Sequence, residues 1–305
     1  MVAVGDAATR VDALLARHLG TSTAAARRLL DAGVVWVAGR PARKGARLPA
    51  GTVVEVEVGT GIAGGGEAVV VLPDPSMTLT VLYEDPVLVA VDKPAGVASH
   101  PLRAGELGTA ANAIVARWPE CAVASPDPRE GGLAHRLDTP TSGVLLAART
   151  RAAWTGLRQA LADENCEKRY LCLVHGAPPD AGRIDAEIGR RGRRGRTVRV
   201  GGGRNPQPAE TAWTVVARGA TTSLVEARLH AGRAHQVRAH MAAAGFPLVG
   251  DDRYGGAGGE VEGAAGAGAT ALHLHAASIG LMHPVSGQSL FIEAPPPAWA
   301  RGPAR

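Results

Sequence analysis

With 305 residues, 46% of them hydrophobic and 20% charged, the chain can bury a sizeable core and is not globally disordered; with 3% aromatics, that core must be mostly Ala, Val and Leu. No apolar run approaches the roughly 18–20 residues of a membrane span, and the start MVAVGDAATR lacks a basic-then-apolar leader, so a cytoplasmic protein without a membrane partner is expected. Cys121, Cys166 and Cys172 form neither a CxxC pair nor an even framework, which argues against a disulfide scaffold and a structural zinc site. The net charge of +5 points to a polyanionic partner and is clustered. Residues 1–47 hold eight Arg or Lys against three Asp; Arg190–Arg204 holds seven Arg and no acid, and without those seven the net charge would be −2.

In chain order, Val11, Leu14, Leu15 and Leu19 share one helical face. After a Gly20-Thr21-Ser22 break, Ala26, Leu29, Leu30 and Gly33 repeat the spacing, with Thr21 or Ser22 as cap and Gly33 as terminator. VVWVAGRPARKG and TVVEVEV then read as short strands around a basic turn. RVDALLARHL followed by STAAARRLLDAGVVWVAGRPARKGARLPAGTVVEV resembles the S-four-like RNA-binding domain, with Ala38 where that family commonly has Asn before the turn glycine. The resemblance implies a small N-terminal α/β RNA-binding domain over residues 1–59, gripping RNA through Arg27, Arg28, Arg40, Arg43 and Lys44.

Residues 60–75 read as a linker, on the strength of GTGIAGGGE. From about residue 76, strands are expected at LTVLYE, VLVAVD, VLLAA, YLCLVHG, TAWTVVAR, SLVEARL and LFIEA, and helices at Thr109–Trp118, Ala152–Ala162 and His235–Ala243. Several connections are too short for a crossover helix, which favours a largely antiparallel α+β sheet. The glycine-rich stretches near 201–203 and 255–268, and the basic Arg190–Arg204 segment, read as surface loops; 298–305 reads as a C-terminal tail.

Three motifs carry chemistry. GGLAHRLDTPTSGVLLAAR (131–149) presents Asp138 on a Thr/Ser/Gly turn at the lip of an apolar strand. EKRYLCLVHG (167–176) opens a strand at Tyr170 behind basic residues. In HAGRAHQVRAHM (230–241), Gly232 permits a tight entry, and His235 and Arg238 share a helical face at i and i+3. Together HRLD-x-x-TSG, K-x-Y and GR-x-HQ-V-R, with VLVAVDKPAGVASHP (87–101) and LHLHAASIGLMHP (272–284), resemble the RluA-type pseudouridine synthases over roughly 76–297.

That resemblance implies a mixed, mostly antiparallel catalytic core and isomerisation of uridine to pseudouridine in RNA. Large-subunit rRNA is the favoured substrate, with tRNA as the alternative. By motif position Asp138 is the catalytic carboxylate, Arg238 its partner, and Tyr170 the residue that stacks on the base and assists proton removal. Arg136 would hold the flipped site and Leu274 would pack beside the base; His135, Thr141, Gly232, Arg233 and His235 would line the substrate site. Isomerisation is neither redox nor hydrolytic, so no cofactor or metal is expected; a monomer is expected as well. The departure is Thr139-Pro140 where the family commonly has charged residues, which leaves substrate contacts there open; Pro140 favours extended geometry at Thr139.

Other classes fit less well. His230, His235, His240, His273, His275 and His283 lack HExxH spacing and interleaved acids, against a metal hydrolase. A two-carboxylate glycosidase needs a second acid, and no acid inside the motifs partners Asp138. A non-catalytic RNA-binding protein would be favoured by loss of the aspartate or arginine, and both are present.

Overall fold

The computed structural model describes residues 2–3, 9–18, 23–31, 33, 35–49, 52–56, 69–191, 197–230, 232–255 and 271–301. The chain divides into two compact units, Met1–Ala68 and Val69–Arg305.

In the first unit, β1 (Val2–Ala3), β2 (Thr9–Arg10), α1 (Val11–His18) and α2 (Thr23–Asp31) precede β3 (Val35–Val37), β4 (Arg40–Pro41), β5 (Arg47–Leu48) and β6 (Val53–Val56). One sheet runs β1-β6-β3-β4, and β2 pairs with β5. The expected faces meet: Val11, Leu14 and Leu15 pack on Ala26, Leu30, Val35 and Val54. Gly33 ends the second helix in left-handed geometry at φ 71°, its N–H donating to Leu30 O. The β3–β4 hairpin turns on Ala38 and Gly39 at φ 48° and 72°, the paired positive angles of a tight two-residue turn. Ala38 thus sits where Asn or Gly is favoured. Thr21 and Ser22 lie outside the described residues.

The second unit is built on a nine-stranded sheet. Its strands are β7 (Thr80–Glu84), β8 (Leu88–Lys93), β9 (Ser142–Ala148), β10 (Glu167–His175), β11 (Ala181–Asp185), β15 (Glu210–Arg218), β16 (Thr222–Leu229), β17 (Leu274–Met282) and β18 (Ser289–Glu293). The order is β11-β15-β16-β10-β17-β9-β8-β7, with β18 also on β17. All pairings are antiparallel except β9 with β17, where Ser142 faces His275 and Gly143 faces Ala276. Gly143 adopts φ 110°, and a Cβ there would fall 2.1 Å from Ala276 O, so only glycine allows this join.

Helices cover both faces. Val89, Val91 and Leu145 pack under α3 (Ala110–Arg117), whereas Leu88 and Leu146 pack under α4 (Arg151–Ala162). Burial on both sides explains why β8 is an unbroken apolar run rather than an alternating one. Helix α5 (Gln236–Ala243) sets Val237 and Met241 against Cys172 and Val225. A Thr109–Asn112 capping box starts α3.

Several expectations need correction. Residues 69–75 are no linker: Val71 is in the core, its N–H donates to Pro128 O at 2.9 Å, and Asn112 Nδ2 donates to Leu72 O at 2.6 Å. Residues 60–68 lie outside the described residues. Residues 298–300 are no tail, since Ala298–Ala300 form a 3₁₀ turn with Ala300 buried and Trp299 edge-on to His273, and 302–305 lie outside the described residues. Half of the described part of the Arg190–Arg204 segment lies in strands, with β12 (Ile188–Arg190), β13 (Val198–Val200) and β14 (Arg204–Gln207) in the order β13-β12-β14. Gly201–Gly203 is its turn, and 192–196 and 256–270 lie outside the described residues. Arginine and glycine replace the apolar alternation that marks a strand, so the sequence pattern hides it.

Candidate active site

A cleft of about 630 Å³ opens in the second unit and gathers residues from every motif. Its lining includes His135, Arg136, Asp138, Thr141, Tyr170, Gly232, Arg233, His235, Arg238 and Leu274. The cations Arg136, Arg158, Lys168, Arg190, Arg233 and Arg238 line it against the acids Glu130 and Asp138, a balance suited to a phosphodiester chain.

Asp138 stands on a turn clamped from below. Thr141 N–H donates to Asp138 O at 2.9 Å, closing the turn through Thr139 and Pro140. On one flank, Ser99 Oγ donates to Leu137 O at 2.8 Å and accepts Leu137 N–H at 3.1 Å. On the other, Lys93 Nζ donates to Pro94 O (2.9 Å), Val97 O (2.7 Å) and Thr139 O (3.2 Å). Lys93 is fully buried, and burial pulls its pKa down to about 8, opposed by the nearby charges of Asp138 and Asp92. The stretch VLVAVDKPAGVASHP therefore serves as a brace for the aspartate's turn.

Arg238 reaches the carboxylate from α5, with NH1 3.1 Å from Asp138 Oδ2. The same guanidinium is gripped by Asp251, Nε to Oδ2 and NH2 to Oδ1, both at 2.8 Å. Asp251 itself is completely buried and accepts the N–H groups of Arg253 and Tyr254. Arg238 is held charged by these carboxylates despite burial, and Asp251 is held ionised by Arg238 and those N–H donors despite its own.

His235 does not lie within α5. It precedes the helix in left-handed geometry at φ 57°, whereas Gly232, expected to supply the tight entry, has no positive φ. His235 Nε2 nonetheless lies 3.6 Å from Asp138 Oδ2. Tyr170 does not open its strand, which begins at Glu167; it sits at a register shift opposite Ala276. Burial, then the charge of Asp138, raises its pKa, so the phenol is protonated at neutral pH. Leu274 pairs with Cys172 and so shares the Tyr170 face.

Other expected residues take mixed parts. His135 Nε2 accepts Leu146 N–H at 3.1 Å, anchoring the motif to β9, and burial with Lys168 and Arg158 lowers its pKa to about 3. Thr141 Oγ1 is buried and without a hydrogen-bond partner. Arg136 is exposed on the cleft, and Arg233 Nε donates to Pro208 O at 3.1 Å. In the first unit, Arg27 pairs with buried Asp12 at 2.7 Å and Lys44 with Asp31 at 2.7 Å, whereas Arg40 and Arg43 are exposed; the Arg28 side chain lies outside the described residues. Among the described residues no group of three or more His, Cys, Asp or Glu is placed to hold a metal, and no helix is long and apolar enough to cross a membrane.

The model of the RNA pseudouridylate synthase family matches residues 87–243. The chain belongs to that family. Its members are isomerases that convert uridine to pseudouridine, and the sheet of the second unit is their α+β fold. An uncharacterised RNA pseudouridine synthase of Mycobacterium bovis is 36% identical over 298 residues, 96% of this chain and 92% of the relative. Ribosomal large subunit pseudouridine synthase D of Xanthomonas campestris is 39% identical over 72% of this chain and 66% of its own length. The Neisseria meningitidis protein of the same name is 34% identical over 94% of this chain and 76% of its own. Among solved structures, human RNA pseudouridylate synthase domain containing 1 aligns with a TM-score of 0.55 and 26% identity, over 73% of this chain and 85% of that one.

Sequence reasoning missed Asp251, Tyr254 and the bracing role of Lys93. A signal existed for Asp251: FPLVGDDRYG puts an acid one glycine beyond a short apolar run, where burial requires a counter-charge.

Proposed function

We propose that the chain isomerises uridine in large-subunit ribosomal RNA, with Asp138 as the reacting carboxylate. The carrying observation is the Asp138–Arg238 contact, in which the acid reaches the cleft and the base is buried behind it. The reaction breaks the bond from N1 of uracil to the anomeric carbon, turns the base in place and joins C5 to that carbon. The proton leaving C5 is balanced by one taken up at N1, so atoms and electrons are conserved.

Asp138 initiates cleavage of the glycosidic bond. Tyr170 and Leu274 flank the base as a water-excluding wall that favours recapture of free uracil. A protonated phenol suits stacking and hydrogen-bond donation better than proton removal. Uridine must leave its stack to enter, and exposed Arg136 offsets that cost by holding the opened strand. The substrate assignment draws on the Xanthomonas and Neisseria relatives, named for the large ribosomal subunit. The N-terminal unit, read as S-four-like, adds an RNA grip through Arg40 and Arg43, with Arg27, Arg28 and Lys44 adding positive charge. The protein acts as a cytoplasmic monomer.

The test is tritium release from C5-labelled uridine with the purified chain, comparing large-subunit rRNA with tRNA. Release from rRNA at a site mapped as pseudouridine supports the assignment; release from tRNA alone overturns the substrate. Deleting residues 1–68 is expected to weaken binding and flatten its salt dependence, and an unchanged salt slope would remove the N-terminal grip.

A further inference from the structure

Two donors approach Asp138, and both approach the same oxygen. Arg238 NH1 lies 3.1 Å and His235 Nε2 3.6 Å from Oδ2. The other nitrogen of His235, Nδ1, is 2.9 Å from the hydroxyl of Tyr254. That hydroxyl also accepts the N–H of Val198, in β13 of the small basic sheet, at 2.8 Å. With one lone pair taken by Val198, the hydroxyl's own hydrogen is available to Nδ1. Donation there leaves Nδ1 unprotonated and puts the imidazole hydrogen on Nε2, facing the carboxylate.

The surroundings favour this arrangement. His235 is held in left-handed geometry at φ 57°, a conformation disfavoured in a non-glycine residue, which local contacts must offset. Tyr254 meets the imidazole edge-on, at 5.8 Å between centroids and 89° between planes, and the Arg238 guanidinium lies 5.4 Å from its ring centroid. Its backbone N–H is fastened to Asp251.

We propose that Tyr254 is a positioning residue for the isomerisation: it fixes His235 in the Nε2–H form, so that His235 and Arg238 together hold Oδ2 of Asp138 and leave Oδ1 for the substrate. This rests on the pseudouridine synthase reading of the cleft. The 3.6 Å separation closes to a hydrogen bond when the nucleotide fills the site. Through Val198, the same hydroxyl ties this alignment to the small basic sheet.

Two measurements test it. Histidine nitrogen NMR on the intact chain is independent of turnover: the Nε2–H form of His235 is expected in the wild type and its loss in Tyr254→Phe. An Nδ1–H form in the wild type overturns the proposal. The second is single-turnover kinetics on an RNA that the wild type modifies, where absent wild-type product would count against the function itself. Tyr254→Phe is expected to slow the step about tenfold with the Kd for RNA unchanged within twofold. In a His235→Asn background, chosen because Asn tolerates left-handed geometry, the same substitution is expected to cost nothing further. An undiminished rate, an equal loss in both backgrounds, or a loss confined to Kd overturns it.

Discussion

The two units each pair an aspartate with arginine, and the pairs are built inside out relative to one another. In the N-terminal unit the acid is buried: the Asp12 side chain is 2% exposed, while its partners Arg10 and Arg27 are 46% and 47% exposed. In the larger unit the base is buried: the Arg238 side chain is 3% exposed and Asp138 is 21% exposed in the cleft. Asp12 is satisfied on every side, by Arg10 Nε and NH2, Arg27 Nε and the N–H of Ala13, and has nothing left to offer a ligand. Asp138 has a charge partner behind it and the cleft in front, because a second buried acid, Asp251, keeps the arginine in place. An Asp–Arg contact is thus a closed staple, or leaves its carboxylate open to a ligand, according to which partner faces solvent.

Five substitutions would sharpen or break that contrast. The largest effect is expected at Arg238→Met, which leaves Asp251 buried without its counter-charge and should cost about 3–5 kcal/mol in urea unfolding, with loss of turnover. Adding Asp251→Asn should return part of the stability and none of the activity; recovered turnover would mean that Arg238 does not serve Asp138. Next, Lys93→Met leaves Pro94 O and Val97 O short of a donor, while Thr139 O keeps the N–H of Gly96 at 2.8 Å, and should cost about 2–3 kcal/mol, since one such group costs about 1–3 kcal/mol.

Asp12→Asn follows. The Asp12 carboxyl is held well below its ordinary range by Arg10 and Arg27. A depressed folded pKa contributes stability above the unfolded value, about 3.9, and that contribution is lost as pH falls toward the folded value. The wild-type N-terminal unit should therefore lose stability on acidification below about pH 4, the variant should be weaker at pH 7, and the gap between them should close in acid. A constant gap would show that the ion pairs are not the cause. The smallest effect is expected at Ala38→Gly, which relieves the left-handed alanine and should stabilise the hairpin by about 0.5–1 kcal/mol, read as a higher Tm of the isolated transition.

Much of this architecture was legible in local pattern. The apolar runs of β8 and β9, the amphipathic spacing of α1 and the helix expected from Thr109 depend on near neighbours, and the elements follow them. The Asp138–Arg238 contact spans 100 residues and was legible only because both belong to a family motif. Asp251 and Tyr254 fell outside the recognised motifs, and their meaning arises from a fold that returns them to α5. Lys93 was visible within its motif, but its three carbonyl partners were not, since backbone oxygens leave no trace in composition. The small basic sheet stayed hidden because β14 is exposed along its whole length and carries no buried face to pattern.

The most direct test maps pseudouridines by carbodiimide-dependent reverse-transcription stops in ribosomal and transfer RNA from source cells with and without this gene. The account expects a stop in large-subunit rRNA that disappears with the gene, returns with the wild-type chain and does not return with Asp138→Asn, although that variant still binds the RNA within a few-fold. A stop restored by Asp138→Asn would contradict it.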